Sequence, residues 1–106
     1  MKSYFINEEK WHGYSLNEQL GNILSEVARA HNRQKVSDLE GKKKALERAL
    51  ELIDLTLIDK KHTCSLKEIK ILRDMVVDKY VDGNNFNVTF EEIEDYLLPF
   101  AILARK

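Results

Sequence analysis

Two rows of polar side chains have the residue types and the spacing to do chemistry. Glu47, Glu51 and Asp54 recur at steps of four and three, so on a helix the three carboxylates share one face. Like charges so placed repel unless something positive lies among them. Lys43, Lys44 and Arg48 can fill that role as ordinary surface partners. A divalent cation can fill it as well, because hard ions such as Mg²⁺ take several carboxylate oxygens and bind substrate phosphates at the same time. In that arrangement Glu51 and Asp54 are metal ligands and Glu47 is an additional ligand or a base. The second row is Gln19, Asn22, Glu26, Arg29 and Arg33, at alternating steps of three and four. It borders an apolar stripe rather than opposing it. It is either a solvated flank, with Asn22–Glu26 and Glu26–Arg29 pairs worth about 0.2–0.5 kcal/mol each, or a polar binding site between helices.

The remaining candidates are weaker. His12, His31 and His62 have no metal-ligand spacing with one another or with Cys64, and His31, at the edge of an apolar stripe, reads as a capping or half-buried histidine. Cys64 sits beside a helix start but has no base near it in sequence, so it reads as a packing residue. Lys42, Lys43 and Lys44, with Arg33 and Lys35, form the one basic cluster. It can meet phosphate, yet Asp38, Glu40 and Glu47 dilute it and no aromatic residues interleave for base stacking. Asp82-Gly83-Asn84-Asn85 has part of a calcium loop, but the glycine and the closing glutamate are misplaced, so it reads as a turn.

The elements that must position these residues are helices. Ser37 to Ile58 reads as one amphipathic helix, with Leu39, Leu46, Ala49, Leu50, Ile53 and Leu57 at the period of one face. Ala45, Leu52, Leu55 and Ile58 widen the stripe until the helix must be surrounded by others. About 22 residues give a pillar roughly 33 Å long. Four Ser/Thr-x-x-Glu pairs open apolar-periodic runs: Ser15 with Glu18, Ser37 with Glu40, Ser65 with Glu68, and Thr89 with Glu92. Each is a candidate capping box, in which the hydroxyl accepts from the third amide and the glutamate reaches back. Val88 with Ile93 and Cys64 with Ile69 can add hydrophobic staples. The first run, about Leu16 to Arg33, carries small residues at Gly21, Ser25 and Ala28 that let a neighbouring helix approach. The third, about Leu66 to Val81, is followed by Gly83, a candidate left-handed cap. The fourth, about Phe90 to Ala104, contains Pro99, which should kink or end it.

The expected fold is all-α: an antiparallel four-helix bundle over residues 15–106, preceded by an aromatic arm over residues 1–14. The arm holds Tyr4, Phe5, Ile6, Trp11 and Tyr14. They either lid one end of the bundle or meet a partner, since aromatic residues are enriched in interface cores.

The 106 residues suit one domain with a modest core. Lys+Arg (17) and Asp+Glu (18) leave a net charge of -1, so no overall field draws the protein to nucleic acid or to an anionic membrane. One cysteine excludes an internal disulfide and fits a reducing cytoplasm. No apolar run suits a signal peptide or a membrane span.

Leu24-Ser25-Glu26-Val27-Ala28-Arg29, followed after 21 residues by Glu51-Leu52-Ile53-Asp54, resembles the MazG-type all-α NTP pyrophosphohydrolases. Those enzymes carry a Glu-x-x-Glu and a later Glu-x-x-Asp that hold Mg²⁺ against a nucleoside triphosphate. The resemblance implies Mg²⁺ on Glu26, Glu51 and Asp54, although Arg29 stands where that family has its second glutamate. SLNEQLGNILSEVARA, ALERALELIDLTL, LKEIKILRD and FAILARK are similar to a group of small bacterial and archaeal helical proteins, which implies the fold and no activity. In size and architecture the chain also resembles the four-helix accessory proteins of diversity-generating retroelements and ribosomal RNA intervening sequences. Those are oligomers that bind nucleic acid and protein and are generally basic, unlike this chain.

The leading expectation is a non-enzymatic, self-associating interaction module without a cofactor, with an unidentified protein partner favoured over nucleic acid. The alternative is an Mg²⁺-dependent nucleotide hydrolase. The surplus of apolar faces motivates the self-association.

Overall fold

Five helices follow one another in the computed structural model, which describes residues 8–59, 66–81 and 88–104: α1 (Glu8–His12), α2 (Leu16–Lys35), α3 (Leu39–Leu57), α4 (Leu66–Tyr80) and α5 (Phe90–Ala104). The protein is all-α, with no strand among the described residues. The count is five rather than four because Glu8–His12, inside the expected arm, is itself a helical turn. No helix among the described residues is long and apolar enough to cross a membrane.

Two of the expected capping boxes form as read. The Glu18 amide donates to Ser15 Oγ at 3.1 Å while the Ser15 amide donates to Glu18 Oε1 at 2.9 Å. At α5 the Glu92 amide donates to Thr89 Oγ1 at 3.1 Å and the Thr89 amide to Glu92 Oε1 at 3.0 Å. The third is displaced by one residue. Ser37 closes α2, its amide donating to the Gln34 carbonyl, and it sits at φ 60. In that left-handed conformation it cannot cap α3. Asp38 takes the role instead, accepting from the Gly41 amide at 2.9 Å. Ser65 and Cys64 at the start of α4, Gly83 and the Asp82–Asn85 turn, His62, and Tyr4, Phe5 and Ile6 of the arm lie outside the described residues.

The core follows the helical period. Ile23, Val27 and Ala30 of α2, Ala45, Leu46, Ala49, Leu52 and Ile53 of α3, Ile69, Leu72 and Val76 of α4, and Ile93 and Leu97 of α5 are all buried. Burying a side chain of this kind stabilises by about 1.5–3 kcal/mol before entropy is counted. α2 packs most extensively, against α3 on one side and α5 on the other; α3 also packs on α4, while α4 and α5 barely touch. Gly21 permits the α2–α5 approach, since a Cβ there would lie 3.3 Å from Ala101 Cα.

Two expectations are corrected. Leu39 is 67% exposed, because it is the first residue after the cap and faces outward. Ile58, expected in the widened stripe, is likewise exposed. α5 has the expected bounds, Phe90–Ala104, and of the two effects expected of Pro99 it does not end the helix. Proline removes one backbone hydrogen bond there, to the Asp95 carbonyl, and the apolar contacts of Leu97, Phe100 and Ala101 hold the turns on either side.

Candidate functional site

The polar row of α2 does not form one site. Gln19 is fully buried at the start of the helix, donating through Nε2 to the Trp11 carbonyl at 2.8 Å and to Asp59 Oδ2 at 3.2 Å. Asn22 is exposed and turns back onto the Glu18 carbonyl at 2.8 Å. Glu26 is buried and meets Arg29 at 3.4 Å. Arg33 reaches Asp38 at 3.7 Å, across the turn into α3. Arg29 and Arg33 share an open concavity with Ser25, Ala28, Asn32 and Val36, all on α2 or just beyond its end.

Gln19 belongs instead to a hydrogen-bonded cluster that docks α1. Trp11, with no exposed surface, donates its indole Nε1–H to Thr56 Oγ1 at 3.1 Å, and that hydroxyl donates to the Leu52 carbonyl at 2.7 Å. The His12 ring lies 3.3 Å from the Leu55 carbonyl. Buried polar groups must be paired, and here the pairing fixes α1 across the end of α3.

The carboxylates of α3 are drawn apart by α4. Tyr80 donates its hydroxyl to Glu47 Oε2 at 2.7 Å, and that bond, then burial and the Glu47 charge, push the phenol above its ordinary range. Arg73 donates Nε to Asp54 Oδ1 at 2.6 Å, which raises the guanidinium pKa further. Glu51 lies between them, half-buried, with Oε2 enclosed and accepting no hydrogen bond among the described residues. Glu26 is engaged with Arg29 on α2. Among the described residues no group of three or more His, Cys, Asp or Glu side chains is placed to hold a metal ion.

Two other features were not legible in the sequence. The first is a cleft of about 340 Å³ where the end of α2, the start of α3, the end of α4 and the start of α5 meet. His31, Gln34, Lys42, Lys79 and Thr89–Glu91 line it. His31 is half-buried, as expected; its Nδ1 meets Glu94 Oε1 at 2.5 Å and its ring stacks on Phe90 at 5.2 Å, 8° from parallel. Lys42 Nζ lies 5.8 Å from the centroid of the same phenyl ring, a cation–π contact. The second is an apolar seam of about 240 Å³ between α4 and α5, floored by Leu16 and Leu20 and walled by Ile69, Leu72, Tyr96 and Phe100, with Glu68 on its edge. Burial, and next the Glu68 charge, raise the Tyr96 phenol above its usual range.

No family profile, no curated protein and no solved structure matches the chain.

Proposed function

We propose that the chain is a non-enzymatic interaction module: an antiparallel bundle of α2 to α5 closed at one end by α1, which self-associates through α5 in the cytoplasm. The observation that carries this reading is the apolar second half of α5. Tyr96, Leu98, Ile102 and Leu103 are 41–52% exposed, while Leu97 between them is buried. Tyr96, Phe100 and Leu103, at steps of four and three, share the flank that borders the α4–α5 seam. Leu98 and Ile102, four apart, share the opposite flank.

A helix apolar on nearly every side needs neighbours on every side. Among the described residues of its own chain this one has α2 fully and α4 sparsely. The occupant we assign to the open side is a second copy. One surface presents both an apolar ridge and an apolar seam, the self-complementarity that a two-fold interface requires. The net charge of -1 sets up little repulsion between copies.

Sedimentation equilibrium tests this directly. The expected result is a species of twice 12.4 kDa at high micromolar concentration, returned to monomer by Ile102→Glu with Leu103→Lys while helicity is retained. A wild-type monomer at that concentration overturns the proposal.

A further inference from the structure

Asp95, Leu98 and Ile102 follow one another on α5 at steps of three and four, so they share a flank. All three are exposed, Leu98 at 47% and Ile102 at 49%. Three residues after Ile102 the sequence has Arg105, which lies outside the described residues and enters by its place in the row. The spacing of three, four and three is unchanged by reversal, and the two ends of the row carry opposite charge. We propose that two copies pair antiparallel along this row, Asp95 of each against Arg105 of the other and Leu98 against Ile102. The inference rests on the self-association proposed above, and adds to it an orientation and the residues that select it.

Charge decides between the two orientations. A parallel pair sets Asp95 against Asp95 and Arg105 against Arg105, and like charges so juxtaposed disfavour it. Glu91, one turn before Asp95, and Lys106 extend the acidic and basic ends and add to that repulsion. The antiparallel pair brings opposite ends together twice, once on each side of the two-fold axis, as an isologous contact requires. Its centre is the Leu98–Ile102 contact, made twice, which covers apolar surface that α5 otherwise exposes.

The other charges of α5 have duties elsewhere. Glu92 accepts from the Thr89 amide in the capping box, and Glu94 meets His31 of α2. Glu91 also borders the cleft that Lys42 and Lys79 line. The neighbouring surface of α2 leaves the row accessible. Gly21 lies close to Ala101, and from it Ser25, Ala28 and Asn32 follow at steps of four, three and four on the side next to Leu98 and Ile102. These residues are uncharged and short, so they leave room for a second helix. Lys35 closes that row at the end of α2, toward the acidic start of α5.

The test is disulfide capture in a Cys64→Ser background. Chains carrying Asp95→Cys or Arg105→Cys are oxidised with copper–phenanthroline, each alone and mixed, and the intact masses are read. In the antiparallel register the two copies of position 95 lie ten residues apart along the paired helices, roughly 15 Å, beyond the Cα separation of about 4.4–6.8 Å that a disulfide spans. The expected products are covalent dimers that join the two kinds of chain, with few in either chain alone. Sedimentation equilibrium supplies the second readout. Asp95→Arg and Arg105→Asp should each weaken dimerisation about fivefold or more, because each turns two attractions into repulsions. The double swap keeps the net charge of -1 and should return the wild-type constant. Asp95→Cys homodimers as abundant as the mixed ones, or a swap no better than the single reversals, overturn the antiparallel pairing, while a wild-type dimer leaves self-association standing. A wild-type monomer at high micromolar concentration overturns both. Circular dichroism reports whether each variant keeps its helicity.

Discussion

Trp11 Nε1 donates a hydrogen bond to Thr56 Oγ1 across 45 residues of chain. α1 is only five residues long, far below the length at which a helix is stable alone, so it exists because it is docked. The docking combines a large apolar ring, edge-on to Tyr14 at 5.8 Å, with a polar edge that the buried Thr56 hydroxyl satisfies. Thr56 in turn is satisfied by Leu52, so each link in the chain is paired.

Removing either partner should therefore be costly for different reasons. Trp11→Ala loses the ring and leaves a cavity, an expected loss of about 3–5 kcal/mol. Thr56→Val keeps the shape but strands a buried indole N–H, an expected loss of about 1–3 kcal/mol. Urea denaturation followed by circular dichroism measures both. Trp11 is the sole tryptophan, so its fluorescence separately reports whether α1 stays docked in Thr56→Val. Wild-type stability in both variants would show that α1 is not part of the cooperative unit.

The caps give a second, sharper contrast. Asp38→Ala removes the side chain that accepts from the Gly41 amide and should cost about 1 kcal/mol. Ser37→Gly should be neutral or stabilising, because Ser37 occupies φ 60, where glycine carries no Cβ penalty. Were Ser37 the cap, Ser37→Ala would destabilise as much as Asp38→Ala. Thermal melts of the three variants decide the order.

That contrast shows where the sequence is legible. Ser15 and Thr89 read correctly because a capping box is local, with both partners within three residues. At α3 the Ser37–Glu40 pair is present in the sequence, but it is Asp38, one residue on, that makes the cap. The choice between Ser37 and Asp38 depends on how α2 ends, which the Ser-x-x-Glu pattern does not contain. Gln19 misleads in the same way: its period puts it in a polar row, but its partners lie 8 and 40 residues away. The carboxylates of α3 do share a face, and it is α4 that assigns Glu47 to Tyr80 and Asp54 to Arg73. The His31 cleft draws on four helices, so no periodicity within one of them could announce it.

Gly21 tests the approach of α5 to α2. A Cβ at this position would meet Ala101 Cα at 3.3 Å and Ala101 Cβ at 3.4 Å. For Gly21→Ala, a helix-propensity gain of about 1 kcal/mol opposes this tight contact, and the net change should be small. Gly21→Leu overpacks the same seam and should lose about 1–3 kcal/mol. If Gly21→Leu melts like the wild type, the two helices do not approach as closely as the structure shows.

The Tyr80–Glu47 bond predicts an alkaline signature. The neutral phenol is the donor, and its pKa is raised above the ordinary value, first by that hydrogen bond. A group raised on folding contributes stability that is fully present below its unfolded pKa of about 10 and lost as pH rises through the higher folded value. The difference in Tm between wild type and Tyr80→Phe should therefore shrink across that alkaline window. Tyr96, raised by burial and then by Glu68, should also ionise late, so ultraviolet titration should show two late phenols in the wild type and one in Tyr80→Phe. A single transition at the ordinary tyrosine value would contradict both contacts.

Metal dependence bears on the alternative reading as a hydrolase. Arg73 at 2.6 Å neutralises Asp54, Tyr80 occupies Glu47, and Arg29 engages Glu26. A divalent ion would have to displace these partners and gather side chains that no described group of three brings together. Millimolar Mg²⁺ or Mn²⁺ should therefore leave the melting temperature unchanged, with or without a nucleotide. A ligand present at 100 times its Kd would add about 2.7 kcal/mol, a shift of several degrees that a melt resolves readily. A metal-dependent rise of that size, enlarged by a nucleoside triphosphate and lost in the Glu51→Ala, Asp54→Ala double variant, would move the protein to the hydrolase class. Arg73→Ala sharpens the test: breaking an exposed pair costs only about 0–1 kcal/mol and releases Asp54. If Mg²⁺ fails to stabilise even that variant, the partner on Asp54 is not what keeps metal out, and Glu47, Glu51 and Asp54 do not act together as a metal site.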